Sequence, residues 1–385
     1  MSFYHPRCLD ERGGYHPFFT AAGRPHESDT RHLVSSARMV VNYATAYPEL
    51  KCREFPDAIR HGLRYLRKVH RDPRSGGYAW IIRHGIPCDT TQHAYGLAFV
   101  LLAYARSAQA GIGEATGYLY ETWELIEQRF WEPEQGLYAD EATAAWQLSA
   151  YRGQNSNMHL CEALMAAYEA TQDLRFLHRA ELLADHITRR QAALSGHQVW
   201  EHYRSDWTVD WEYNKGDRTN IFRPWGFQPG HQFEWAKLLL QLDRHSPRPW
   251  RLPRARSLFS SAAKAGWDDA CGGFIYGYDP SGQRYDGDKY SWVQIEAMAA
   301  AALLSARTGD TEFARWYETI GEYGWKTFVD PATACWHRVC TPDNLPSGEV
   351  APFSGLTDYH TIAACIDIIR CLESSGPYEN PRASL

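Results

Sequence analysis

No run of about eighteen apolar residues occurs in this chain, so nothing in it reads as a membrane-crossing helix. The opening residues, MSFYHPRCLDERGG, lack the apolar core of a secretory signal, and the expectation is a soluble, cytoplasmic protein with no membrane partner. Excess positive charge is missing too. Forty Lys and Arg against 46 Asp and Glu leave a net −6 and a pI near 6.3, which argues against a phosphate-backbone binder and so against nucleic acid as a partner. The nine cysteines include no CxxC pair and lie scattered, several inside apolar helical runs, where reduced, core-filling thiols are expected. A GxGxxG turn, a GxxxxGK turn and an HExxH helix are all absent, so no nucleotide loop or zincin-type metal helix is indicated.

Aromatic residues are plentiful. Fifteen Trp, 23 Tyr and 15 Phe make up 14% of the chain, with many rings outside the aliphatic runs. Such rings suit a sugar pocket, where a pyranose face stacks and a polar edge bonds, although a Trp-rich core would produce the same count.

A short phrase recurs: DERGGYHPFF (10–19), DPRSGGYAWII (72–82), EPEQGLYADE (132–141) and DDACGGFIYGYD (268–279), with degenerate forms at 194–203 and 330–339. Counted along Gly14, Gly77, Gly136, Gly196, Gly273 and Trp336, the spacings are 63, 59, 60, 77 and 63. Each phrase is an acidic turn, a glycine and an alternating aromatic stretch, which predicts a short hairpin. Between phrases lie paired helical patterns: 31–46 with 56–70, 91–109 with 113–129, 157–171 with 175–191, 231–243 with 254–266, and 292–308 with 311–327, followed by 358–373. One helix pair cannot bury its apolar face alone, so the units must stack. Six pairs predict closure into an all-α (α/α)6 barrel, a single catalytic domain over 1–385, with the first helix truncated or missing. The 77-residue spacing marks an insertion at 207–226, a candidate lid.

In such a ring, polar residues at the starts of the inner helices converge. Arg38 lies in the first of them, and the second opens with Asp89 as a candidate N-cap, then His93 and Tyr95. The third carries Asn155, Asn157, His159 and Glu162, and the fourth His231, Glu234 and Trp235. The fifth carries Trp292 and Glu296, and the last Asp358 and His360. His159 with Glu162, and His231 with Glu234, are i,i+3 pairs that share a helix face. An imidazole held by a carboxylate has a fixed tautomer and suits general acid–base work near neutral pH. A metal site is the competing reading of a His-rich cleft. An inverting glycosidase is another, but it needs two carboxylates flanking a water.

These residues resemble the N-acylglucosamine 2-epimerase superfamily along nearly the whole chain. The likeness is most specific at SARM, YRGQNSNMHLCEA, YNKGD, PGHQFEWAKLLL and WVQIEAM, and NSNMH sides with the aldose–ketose isomerase branch rather than with the cellobiose epimerases. The resemblance implies an (α/α)6 barrel whose site needs no metal and no cofactor. It implies catalytic or sugar-contacting roles for Arg38, His159, His231, Glu234 and His360, and sugar-binding or site-lining roles for Asn155, Arg223, Trp292, Tyr95 and Glu162. The implied substrate is a monosaccharide: D-mannose and D-fructose interconverted through a cis-enediol, with D-lyxose and D-xylulose as further candidates. The alternatives are a sugar 2-epimerase and an (α/α)6 glycoside hydrolase. At 219–223, TNIFR carries one arginine, where the sulfoquinovose isomerases have a second basic residue near Ile221, which disfavours a sulfonated sugar.

Overall fold

The computed structural model describes residues 1, 5–17, 19, 24–25, 28–217, 220, 222–331, 336–347 and 358–374. Two compact units divide the chain, Met1–Phe227 with Gly348–Tyr359, and Gln228–Ser347 with His360–Leu385.

In the first unit the helices are α1 (Leu33–Leu50), α2 (Phe55–Tyr65), α3 (Ala94–Gln109), α4 (Glu114–Phe130), α5 (Gln154–Thr171) and α6 (Leu174–Asp185). In the second they are α7 (Pro229–His245), α8 (Arg251–Gly266), α9 (Ser291–Thr308) and α10 (Thr311–Phe328); α11 (Tyr359–Ser374) belongs there apart from its first residue. Each predicted helix is present, within a few residues of its expected ends. The runs 66–70 and 186–191, expected as the last turns of α2 and α6, widen into π-helical segments. Among the described residues no helix precedes α1.

Odd-numbered helices are the inner layer of each unit. α1 packs on α3 and α3 on α5, while α7 packs on α9. Their faces are apolar nearly all round, as in AYGLAFVLLAYA of α3. The alanine run of α9 lets α11 approach closely, with Ile295, Ala299 and Ala302 against Ala364 and Ile368. Each fully buried large aliphatic there contributes about 1.5–3 kcal/mol. The even-numbered partners are amphipathic, and two of them start on side-chain caps: Asp173 accepts from the Arg175 amide and Asp310 from the Glu312 amide, each at 3.0 Å.

The recurrent phrases are tight excursions. Backbone bridges close them between Leu9 and Tyr15, Arg71 and Tyr78, Trp131 and Tyr138, Trp267 and Phe274, and Val329 and Trp336. Gly136 and Gly273 turn them at φ of 63° and 83°, in the left-handed region.

A second set of pairings was not visible in the sequence. The strand leading into each of four inner helices pairs with the next excursion: Thr30–His32 with Ile81–Arg83, Gln92–His93 with Glu141–Ala142, Arg152–Gly153 with His202–Tyr203, and Lys289–Tyr290 with Val339–Cys340. The first helical amide then donates to that excursion, Leu33 to Trp80, Ala94 to Asp140, Gln154 to Glu201 and Ser291 to Arg338. The first orphan donor of each of these helix starts is thereby satisfied by backbone, and in α1 the His32 imidazole also accepts from the Val34 amide at 3.2 Å. That corrects the expectation for Asp89, which ends the strand Ile86–Asp89 and accepts from the Thr91 amide; the N-cap of α3 is His93. Asn157 likewise serves the fold, since its amide accepts from and donates to the Tyr138 backbone at 2.9 and 3.0 Å.

Candidate active site

Within the first unit the polar helix starts gather around a cavity of about 210 Å³. Tyr95 and Asn155, expected from the sequence, line it together with Arg223. Arg38 approaches from α1, its Nη2 donating to the Tyr95 hydroxyl at 3.0 Å and its guanidinium lying 4.3 Å over the Phe99 ring. His159 sits behind Tyr95, ring centroids 5.3 Å apart, and its Nδ1 is 3.2 Å from Glu162 Oε2. The other Glu162 oxygen accepts the Tyr359 hydroxyl. So the first i,i+3 pair is a hydrogen-bonded one.

Arg223 comes from the inserted loop. Its Nη2 reaches Glu141 at 2.7 Å, its Nη1 the Tyr213 hydroxyl at 3.2 Å, and its guanidinium covers the Tyr151 ring at 4.1 Å. Burial works against the charge, but the surrounding Tyr151, Asp140 and Glu141 hold it firmly cationic. Ile221, in the same loop, lies outside the described residues.

Seven lining residues were not singled out from the sequence: Trp80, Asp140, Glu141, Tyr151, Ser156, Asn220 and Phe222. Three of them belong to the recurrent phrases, Trp80 in the second, Asp140 and Glu141 in the third. The signal existed, because the phrases return at each inner helix, but only the cross-repeat pairing shows that they deliver side chains to helix starts. Burial pushes the Asp140 carboxyl up to about 6 against the opposing pull of Arg223 and Ser156. His93, 3.6 Å from Glu141, is driven down to about 4 by burial first and by Arg223 second, so at neutral pH this contact joins a neutral imidazole to a carboxylate. Arg38 Nε, Asn155 Oδ1 and Asp140 Oδ2 are buried without a hydrogen-bond partner among the described residues. One donor and two acceptors left open suit a polyhydroxylated ligand, whose hydroxyls are both.

Inside the second unit, His231 stands in the first turn of α7 with its ring 5.4 Å from the Trp292 indole, and His360 lies 5.3 Å from that same indole. The geometry depends on Gly230, since a Cβ there would fall 2.4 Å from the Trp292 ring. His360 Nδ1 is 2.8 Å from Glu296 Oε1 and 3.7 Å from Glu234 Oε1. The carboxylate that hydrogen-bonds His360 is therefore Glu296, and Glu234, read from its spacing as the partner of His231, lies near His360 as well. Lys237 approaches the other Glu296 oxygen at 2.5 Å, with both side chains buried. Burial alone would raise the Glu296 carboxyl; the Lys237 ammonium and the His360 hydrogen bond outweigh it and hold it below the ordinary range.

Ligand atoms of Glu234, Glu296 and His360 lie within 4.8 Å of one another, close enough to share a metal ion. The donor set fits one poorly, because the Lys237 ammonium already supplies the cation at Glu296 and would repel a second. Glu296 does not suit the acid of a glycosidase, which needs a carboxyl held protonated, because it is held ionised.

The model of the N-acylglucosamine 2-epimerase (GlcNAc 2-epimerase) family matches residues 13–364. A D-mannose isomerase of Marinomonas mediterranea is 48% identical over 374 residues, 97% of this chain and 95% of its own length. A D-mannose isomerase of Thermobifida fusca is 38% identical, covering 79% of this chain and 76% of its own. A crystal structure of D-mannose isomerase superposes with a TM-score of 0.93 at 48% identity, over 96% of this chain and 95% of that one. The fold class is accordingly the (α/α)6 barrel that the repeat predicts.

Proposed function

The chain belongs to the N-acylglucosamine 2-epimerase family, and from that premise we propose that it is an aldose–ketose isomerase interconverting D-mannose and D-fructose by histidine acid–base chemistry. The observation that carries the reading is the pair His231 and His360 on one indole, Trp292, with His360 held by Glu296. It is supported by the 48% identity to a D-mannose isomerase over almost the full length of both chains.

The reading takes residues 1–385 as one catalytic domain. Mannose and fructose share a cis-enediol, so the reaction needs ring opening, removal of the C2 proton and its delivery to C1 on the same face. Glu296 accepts the Nδ1 proton of His360, which leaves Nε2 with its lone pair as the base for C2 and the acid for C1. His231 opens the ring and moves protons on O1 and O2. Arg38 offers its Nε–H, which has no partner among the described residues, to the developing enediolate oxygen, a fixed charge that needs no reorganisation. His159, set by Glu162, assists ring opening, and Tyr95 and Asn155 hold sugar hydroxyls. Arg223, already committed to Glu141 and Tyr213, shapes the cavity wall. The cavity, at about 210 Å³, has the scale of one monosaccharide.

Incubation with D-mannose in D2O, followed by NMR of the products, tests this. Fructose with deuterium at C1 is expected. Glucose with deuterium at C2 would move the protein to the 2-epimerases, and release of reducing sugar from a mannoside would make it a hydrolase.

A further inference from the structure

We infer that Lys237 is a positioning residue that sets the protonation state of His360 through Glu296. The three groups form a buried chain within the second unit: Lys237 Nζ to Glu296 Oε2 at 2.5 Å, then Glu296 Oε1 to His360 Nδ1 at 2.8 Å. The Glu296 side chain is only 1% exposed and that of Lys237 7%.

A buried carboxylate bonded to an imidazole stabilises the imidazolium and raises its basicity, as an opposite charge at that distance shifts a titration by about 1–3 units. Alone, Glu296 would hold His360 protonated at neutral pH, and a protonated ring cannot take the C2 proton. Glu234 Oε1, 3.7 Å away, pushes in the same direction. The Lys237 ammonium opposes both. It lets Glu296 keep the hydrogen bond that orients the ring while cancelling much of its charge. The titratable groups that bear on His360 include Lys237 and Glu234 from α7 and Glu296 from α9, with His231 across Trp292. A lysine can do this where an apolar residue cannot, because leaving two carboxylates to face one imidazole would fix it in its cationic form.

The inference rests on the isomerase reading only for the role of His360 as proton carrier. NMR titration of the His360 ring in the full-length protein reads it directly, with or without turnover. In the native chain the midpoint is expected near or below the ordinary value of about 6.5; a midpoint above about 8 would overturn the inference. In Lys237→Met the midpoint is expected to rise by about one unit or more, and the acid limb of kcat/KM to follow it, while KM above that limb is unchanged. Lys237→Arg, which keeps the charge, is expected to keep the native limb. A folded Lys237→Met whose His360 titration does not move would sink the proposal. Should mannose yield no fructose at all, the isomerase reading fails, and the ring titration still decides the part played by Lys237.

Discussion

The Nδ1 of His360 lies 2.8 Å from Glu296 Oε1, a contact that spans 64 residues of sequence and joins α11 to α9. Glu296→Gln keeps the shape of this contact and removes its charge. Turnover is expected to fall by about 10²-fold with KM little changed, as for loss of a group that acts through the proton carrier. Stability should fall by about 3 kcal/mol, because Lys237 loses the buried carboxylate against it. Steady-state kinetics and urea unfolding check the two halves.

His231→Asn and His360→Asn each remove one of the two imidazoles proposed to move protons, from the starts of helices that packing holds in place. Each is expected to lower kcat by about 10²-fold or more with far-UV circular dichroism unchanged. Near-native turnover in His360→Asn would refute its role as base.

Gly230→Ala puts a methyl group 2.4 Å from the Trp292 ring, and the indole must shift. Overpacking of this kind costs about 1–3 kcal/mol. Because the displaced ring neighbours both imidazoles, activity is expected to fall further than the melting temperature would suggest, with a change in tryptophan fluorescence.

Asp140 carries a stability signature with a definite sign. Its carboxyl titrates at about 6 in the fold and at 3.8 by its reference value, so the native state holds the proton more tightly. Its contribution is fully present below the unfolded value and is lost as pH rises through 6. The two-unit gap corresponds to about 3 kcal/mol at most. Asp140→Asn should therefore gain stability relative to the parent at pH 7.5 compared with pH 4, read from urea midpoints at both. An equal difference at the two pH values would contradict the raised titration.

Metal removal is expected to do nothing. Lys237 neutralises Glu296 where an ion would otherwise sit, so EDTA treatment should leave mannose turnover unchanged. Restoration of a lost activity by a divalent cation would reassign Glu234, Glu296 and His360 as its ligands.

Periodicity alone determined the helix pairs, their order and their approximate ends, because an amphipathic or buried helix writes its pattern locally. The i,i+3 spacing of His159 and Glu162 was equally readable, since a helix makes neighbours of such residues whatever surrounds it. The spacing of His231 and Glu234 was just as plain, yet only the folded chain shows Glu234 beside His360 and Glu296 as its hydrogen-bonding carboxylate. Asn157 looked like a site residue and proved to be a backbone clamp on Tyr138, a contact between separate elements of the chain. Trp80, Asp140 and Glu141 stood in a repeat whose meaning as turns was plain, but their arrival at the cavity depends on strands two or three residues long pairing across repeats. Pairings that short carry no periodic signature, and their energy comes from backbone groups that every sequence possesses. Local patterning wrote the helices; long-range backbone pairing and burial decided which side chains meet at their ends and which of them carry charge.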